Sequence, residues 1–475
     1  MPIASQGAAG RLEAGVEAGL ERPRHRRRSD ILLALLLAVS AVGGLWSYGR
    51  RMPAIDFYQY WVWAQVAGRA DLPNLFDPAT GQRVGAEYER LAYAEAGAER
   101  RQVAAQARSQ LQVYSTPFLY ASFRALSGLR YERAWALYRG ASLLATLVAI
   151  GLLCRALGYG AAGTLLVIAF AAFAFQPLRS DVRVGNVNQI QFLAVALYLW
   201  LSARPGRWPA VVAGLVQGLA VCFKPNFALL APLVAASLWL RGRRADSTAQ
   251  FAGMAAGGTI GLTAGMWICG RTDVWSQWAA GLRSMKAAEF PLEVGNFSPL
   301  RLGLGPAGAY LAPWLALVLF TVVLWVAARR SASGTASGAA SDGAGGGASG
   351  AKVPALADLP AHFLVGGLAC AIPLLVSPLV WQHYLTLALP LALVLLRPGS
   401  PAGPGGRGLA LLAFSAVAID PWSELFGLSA MATQATLVTA GLVLLGLLGL
   451  GELANVGRRS GSGERAAGEA SATLL

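Results

Sequence analysis

Charge is scarce in this sequence. Only 13% of its 475 residues are Asp, Glu, Lys or Arg, against the ~25% of a typical soluble domain. A water-solvated surface over most of the chain is therefore excluded. Lysine is scarcer still: of 39 basic residues only Lys224, Lys286 and Lys352 are not arginine. The net charge of +15 is no nucleic-acid signature, because no RNA- or DNA-binding motif occurs and much of the basic charge flanks apolar runs. The four cysteines, Cys154, Cys222, Cys269 and Cys370, lie in or at the ends of apolar runs with no CxxC spacing. They read as small buried hydrophobes, not as a disulfide framework or a thiolate metal site. There are three histidines, no Asp-x-Asp, and no His/Asp/Glu cluster at ligand spacing, so no metal is expected. The glycines never form GxxxxGK, which removes the case for a nucleotide donor or cofactor.

What is abundant is apolar surface: 55% of residues are hydrophobic and mean hydropathy is +0.50. Apolar runs recur at close to the ~20 residues that cross the hydrocarbon layer as a helix. The expected spans are 31–49, 134–154, 160–178, 188–203, 208–224, 227–241, 250–269, 308–328, 361–378, 383–397, 408–420 and 430–450. The predicted fold is an all-α polytopic membrane protein with about twelve transmembrane helices. RPRHRRR at 22–28 precedes the first run, but no small-residue cleavage site follows it, so it reads as a retained first helix. Residues 1–30 are then a basic cytoplasmic tail. Arg241 to Arg244, Arg329-Arg330, Arg397 with Arg407, and Arg458-Arg459 fall on the same side, as short cytoplasmic loops require. Residues 31–330 form an N-terminal membrane part containing a long external loop at 50–133. Residues 331–358, rich in Gly, Ser and Ala, read as a flexible cytoplasmic linker. Residues 359–450 form a second membrane part and 451–475 a cytoplasmic tail. The stretch 113–129 contains Pro117 and Arg124 and is expected to be re-entrant or interfacial. The aromatic run Phe57, Tyr58, Tyr60, Trp61, Trp63 suits the headgroup layer, with amphipathic helices lying on the outer face. The charged run at 87–101 reads as a solvated helix face.

Six segments carry a pattern. They are AIDFYQYWVWAQVAGRADLPNLFDP at 54–78, YSTPFLYASFRAL at 114–126 and GNVNQIQFL at 185–193, then FKPNFALLAPL at 223–233, NFSPLRL at 296–302 and SPLVWQHYL at 377–385. In this order they resemble glycosyltransferase family 87, the polyprenol-phosphate-mannose-dependent mannosyltransferases of the GT-C membrane fold. That family typically has an Asp just after helix one, here Asp56, then an aromatic run and an aromatic-Asp-Pro, here Phe76-Asp77-Pro78. Two departures stand out: Thr116 replaces a proline and Asn186 stands where Gln is usual.

The resemblance implies a membrane glycosyltransferase moving a sugar, mannose by the family's name, from a polyprenyl-phosphate donor to a hydroxyl of a lipid-linked or glycan acceptor. The reaction would occur on the extracytoplasmic face of the plasma membrane, without a cofactor. Such a transfer needs a base for the acceptor hydroxyl and cationic or hydrogen-bonding groups for the leaving phosphate. Asp56 is the candidate base; a helix-capping Asp is the structural alternative. Lys224, His383, Arg179, Arg183 and Arg301 are candidate phosphate or sugar ligands, and Asn188 a candidate sugar ligand or helix cap. A snorkelling Lys224 and interfacial anchoring by the arginines are the plain readings beside these. Two other classes stay open: a secondary transporter and a lipid-linked glycan polymerase or ligase. A transporter calls for intramembrane carboxylates, and the expected spans hold no Asp or Glu except Asp420 at the very end of 408–420.

Overall fold

A computed structural model describes residues 9–284, 295–339, 359–418 and 431–455. Among these the chain is all-α, with a single isolated β-bridge between Asn296 and Trp381. Twenty α-helices run in order: α1 (Ala9–Arg51), α2 (Ile55–Val66), α3 (Pro78–Ala94), α4 (Glu99–Ala107), α5 (Pro117–Ser122), α6 (Arg124–Ser127), α7 (Tyr131–Ala156), α8 (Ala161–Phe173), α9 (Gln176–Val184), α10 (Asn188–Ser202), α11 (Arg207–Phe223), α12 (Leu230–Leu240), α13 (Arg244–Cys269), α14 (Val274–Ser284), α15 (Pro299–Leu304), α16 (Gly308–Ala339), α17 (Leu359–Val376), α18 (Leu389–Leu396), α19 (Gly403–Ala418) and α20 (Met431–Asn455).

In their described residues the twelve expected apolar segments are mainly helical, but not all are long. Six helices are long and apolar enough to cross a membrane: those containing Arg28–Arg51, Tyr131–Ala156, Arg244–Cys269, Tyr310–Arg329, Leu359–Val376 and Thr433–Asn455. The pair α8–α9, bent by 55°, makes a seventh if it is one crossing. The stretches Arg207–Phe223, Pro225–Leu240 and Gln382–Leu396 are apolar but shorter. The difference from a dozen has a local cause. Pro177, Pro225 and Pro390 sit in the first turn of their helices, where a proline starts a helix but cannot continue one. The expected linker begins as helix, since α16 runs to Ala339; 340–358 lie outside the described residues, as do Arg458-Arg459 and the rest of 456–475.

The external loop differs from its expectation. Its aromatic run does not lie in a headgroup layer. Phe57, Tyr58, Tyr60, Trp61 and Trp63 are all at most 4% exposed. Phe57 stacks on Tyr138 at 5.0 Å and packs against Trp135 at 5.3 Å, so α2 is buried against α7. The run makes a second hydrophobic core from α2, α3, α4, α5 and the ends of α7, α10 and α13. Each such aromatic pair adds ~0.5–1.5 kcal/mol beyond its burial. The residues that face outward as an aromatic belt would are others: Trp267, Tyr310, Trp208, Phe173 and Trp314. The stretch 113–129 is two short helical pieces packed beneath α2 and is too short to cross. The charged run is exposed over most of its length and ion-paired, with Arg101 on Glu95 and Arg100 on Glu132. The four cysteines are buried and unpaired with one another.

The membrane helices pack through small residues, because between helices in lipid close van der Waals contact replaces the hydrophobic drive. On α13, Gly253, Gly257 and Gly261 recur every four residues and face α11. A Cβ at Gly257 would lie 2.3 Å from the Leu215 carbonyl oxygen. Its neighbour Gly258 has nothing within 4 Å. Adjacent glycines should therefore respond oppositely to alanine. Gly257→Ala should lower the thermal midpoint in detergent by the equivalent of ~1–3 kcal/mol of overpacking. Gly258→Ala should hold or raise it, since Ala is the better helix former by ~1 kcal/mol. Equal responses would contradict this packing.

A charged cavity at the helix ends

Three of the six patterned segments share a construction. Asp77 caps α3 by accepting from the Thr80 N–H, with Pro78 in the first turn. Thr116 caps α5 by accepting from the Leu119 N–H, with Pro117 following. Ser298 caps α15 by accepting from the Arg301 N–H, with Pro299 following. Each is a cap-proline pair that starts a helix abruptly. Thr116, the departure from the expected proline, also donates its hydroxyl to the Phe223 carbonyl at 2.9 Å, tying the segment to the end of α11. Asn296 stitches the segment at 296–302 to the one at 377–385. Its side chain donates to the Pro378 carbonyl at 2.9 Å and accepts from the Ser298 and Val380 N–H groups.

Residues from all six segments line one cavity of about 880 Å³. Asp56, Arg108, Arg183, Asn186, Lys224, Trp381, His383 and Tyr384 are among its lining residues. Asp56 lies in the first turn of α2 but is not its cap; that position is Ala54, whose side chain makes no cap bond. The carboxylate faces the cavity instead, 14% exposed. One oxygen pairs with the Arg108 guanidinium and the other accepts from the Asn186 amide at 2.7 Å. Burial, the largest single influence, pushes the Asp56 carboxyl up. Arg108, His383 and the Asn186 amide together outweigh it and hold the group below its ordinary 3.8. Asp56 is therefore a carboxylate at neutral pH.

Lys224 stands in the break between α11 and α12, extended and with no helical partner for its side chain. Its ammonium donates to Asn188 Oδ1 at 2.7 Å and Asn186 Oδ1 at 3.3 Å, and sits 4.0 Å from the centre of the Tyr384 ring. His383 is 7% exposed, and its Nε2 has no hydrogen-bond partner among the described residues. A buried ring nitrogen without a partner, on a cavity wall, is placed to meet a ligand. Arg183 lines the same cavity and is exposed.

Of the seven residues singled out from sequence, Asp56, Arg183, Lys224 and His383 line the cavity. Asn188 is fully buried behind Lys224. It opens α10 but follows the cap position, which is Val187. Arg179 and Arg301 do not line the cavity. Arg179 turns away to lie over the Tyr48 ring at 5.1 Å, and Arg301 is buried in α15. Sequence reasoning passed over two residues. Arg108 follows α4 as an isolated arginine, and only the fold brings it back to Asp56 across 52 positions. Asp181 lies in α9, between the expected spans 160–178 and 188–203, and is 0% exposed. Glu452 is likewise buried, paired with Arg397 at 2.7 Å in α20. Acids that fall outside the expected spans thus lie within the helices themselves.

Gly185 is where this site is most sensitive to a single atom. It ends α9 with φ +70°, a left-handed backbone that favours glycine. A Cβ there would lie 2.7 Å from Phe57 Cβ and 3.1 Å from the Trp135 ring. Gly185→Ala should therefore lower the thermal midpoint by ~1–3 kcal/mol equivalent through strain and overpacking together. Gly43→Ala in α1, with nothing within 4 Å, is the control that should not. An unchanged midpoint in Gly185→Ala would show that the α9–α10 turn is loose.

Residues 114–344 match the family model of glycosyltransferase family 87. No curated protein and no solved structure matches the chain. The matched region holds Thr116, Arg183, Asn186, Asn188 and Lys224; Asp56 and His383 flank it and reach the same cavity. With helices fit to cross a membrane and this match, the chain belongs to glycosyltransferase family 87 and is a membrane glycosyltransferase.

Proposed function

We propose that the protein has the GT-C fold and transfers a sugar, mannose by its family, from a polyprenyl-phosphate donor to a hydroxyl on a lipid-linked or glycan acceptor. The observation that carries this reading is the convergence of one ionised carboxylate, Asp56, with Lys224, Arg183 and His383 on a single cavity. In this reaction the acceptor oxygen attacks the anomeric carbon and its proton passes to Asp56. The bond from that carbon to the phosphate oxygen breaks, and polyprenyl phosphate leaves with the electron pair. A leaving phosphate monoester gains charge, which an ammonium and a guanidinium stabilise. Lys224 and Arg183 supply them, and His383 Nε2 offers a hydrogen bond.

The reading puts the reaction on the extracytoplasmic face of the plasma membrane, and the distribution of charge supports that face. Helices that meet the cavity at one end carry arginine at the other: Arg204 beyond α10, Arg207 at the start of α11, Arg241 and Arg243 beyond α12, Arg397 beyond α18. Short basic loops favour the cytoplasm, so the cavity opens outward.

Asp56→Asn keeps the shape and removes the base. It should reduce transfer from a polyprenyl-phosphate sugar ~100- to 10,000-fold without loss of membrane insertion. Full activity in that variant would end the assignment of Asp56. The pH profile gives a second test. Because the Asp56 carboxyl sits below 3.8, its acid limb lies below that pH, and the Arg108 pair contributes stability above the unfolded carboxylate value that is lost as pH falls through the folded one. In Arg108→Met the push from burial loses its main opponent, so the acid limb of activity should move to higher pH. An unmoved limb would mean that Arg108 does not control this carboxylate.

A further inference from the structure

Asp181 is a buried carboxylate that the proposed chemistry does not use. It is 0% exposed and lies in α9, one turn before the left-handed turn at Gly185. Its oxygens accept from two amides: Asn188 Nδ2 at 2.8 Å and Gln189 Nε2 at 3.0 Å. Gln189 is fixed in turn, its Oε1 accepting from the Thr146 hydroxyl at 3.0 Å. No ion pair to Asp181 is formed among the described residues. A charge so placed is expensive unless its surroundings use it.

The Asn188 amide shows what they use it for. Its nitrogen end gives protons to two acceptors, Asp181 and the His383 carbonyl at 3.2 Å. Its oxygen end must then face Lys224 Nζ, 2.7 Å away. A flipped amide would set its oxygen against a carboxylate and a carbonyl, and its N–H groups against an ammonium. Asn186 repeats the device on the other side: its nitrogen is given to Asp56, and its oxygen faces Lys224. Lys224 thus lies between two amide oxygens, each turned toward it by a carboxylate behind. An ammonium has three N–H donors and two are used this way, which leaves one for a ligand in the cavity.

We infer that Asp181 is a positioning residue: through Asn188 it fixes the place of the Lys224 ammonium in the cavity and balances its charge until an anion arrives. Asp56 cannot do this alone, because Arg108 already pairs with it. The role of Lys224 as a phosphate ligand rests on the functional reading above; its being held by Asp181 does not.

The test uses the scarcity of lysine. With only Lys224, Lys286 and Lys352 in the chain, acylation by an amine-directed ester in detergent, mapped by mass spectrometry, reports Lys224 against two internal references. In Asp181→Asn one of the two amides loses its acceptor and the balancing charge is gone. Lys224, less firmly held and less charged, should acylate faster relative to Lys286 and Lys352, by ~10-fold or more for the loss of a charge-assisted network. The double variant Asp181→Asn, Asn188→Asp returns a carboxylate to the cluster, now against Lys224, and should restore slow acylation. In transfer assays Asp181→Asn should raise the donor KM ~10-fold or more while the acceptor KM moves less than about two-fold. Unchanged relative acylation in a folded Asp181→Asn would overturn the inference. Should that variant not fold, fast acylation in the double variant would do the same. If wild type uses no polyprenyl-phosphate donor, the functional reading fails, and the acylation result still decides the role of Asp181. If Lys224→Met raises the donor KM but Asp181→Asn changes neither KM nor labelling, the phosphate site stands and the positioning role falls.

Discussion

A half-buried ammonium must find partners for its charge and its N–H groups, and the rest of this site follows from meeting that demand at Lys224. Direct pairing with a carboxylate would satisfy the charge but would also consume it. Here the carboxylates stand one residue back, and amide oxygens make the contact. The arrangement needs Asn186 and Asn188 on one turn, two positions apart, with the backbone reversing between α9 and α10. Gly185 supplies that reversal, and the Asp181 carbonyl closes the end of α9 by accepting from the Gly185 and Asn186 N–H groups. Asp181 therefore fixes the turn with its backbone and the amide with its side chain.

The second demand is that helices stop where the site is. A helix continuing through this depth would bury its polar backbone groups in its own hydrogen bonds and present only side chains. Cap-proline starts at Thr116 and Ser298, with the break at Lys224-Pro225, leave ends instead of shafts around the cavity. Such ends are tolerated at membrane depth only where protein covers them. The buried α2 and its aromatic core provide that cover, which explains why five consecutive-turn aromatics face inward and not toward lipid.

This account also explains how much could be read from sequence. The membrane class, the apolar segments and four of the cavity residues are visible in composition, spacing and family resemblance. Span lengths were harder to read, because a run of apolar residues looks the same whether a helix crosses or breaks within it; only Pro177, Pro225 and Pro390 hint at the breaks. The aromatic run was misplaced because Trp and Tyr suit both a headgroup layer and a buried core, and the choice depends on what α7 offers opposite. Arg179 and Arg301 looked equivalent to Arg183, since each is an arginine beside a span end. Their separation depends on which side of a short helix faces inward, and Arg179, four residues before Arg183, points to Tyr48. Arg108 and Asp181 had no local signal. The first is one arginine among many in the external loop, and the second carries meaning only once Asn188 is seen between it and Lys224.

Counting charge around the cavity gives the last step. By formal charge, Arg108, Arg183 and Lys224 stand against Asp56 and Asp181, three basic groups against two acidic ones. The cluster thus carries one formal positive charge in excess. A sugar phosphodiester of one negative charge would bring it to neutrality. A leaving phosphate monoester carries ~1.5 to 2 negative charges at neutral pH, so the remaining demand for cations grows as the bond breaks. A site with one ammonium N–H and one histidine nitrogen still uncommitted meets that demand late, when the charge develops. Interactions that strengthen toward the transition state accelerate a reaction, whereas equal binding of the ground state does not. On the proposed chemistry, holding Lys224 by amides instead of carboxylates keeps its charge available for that moment.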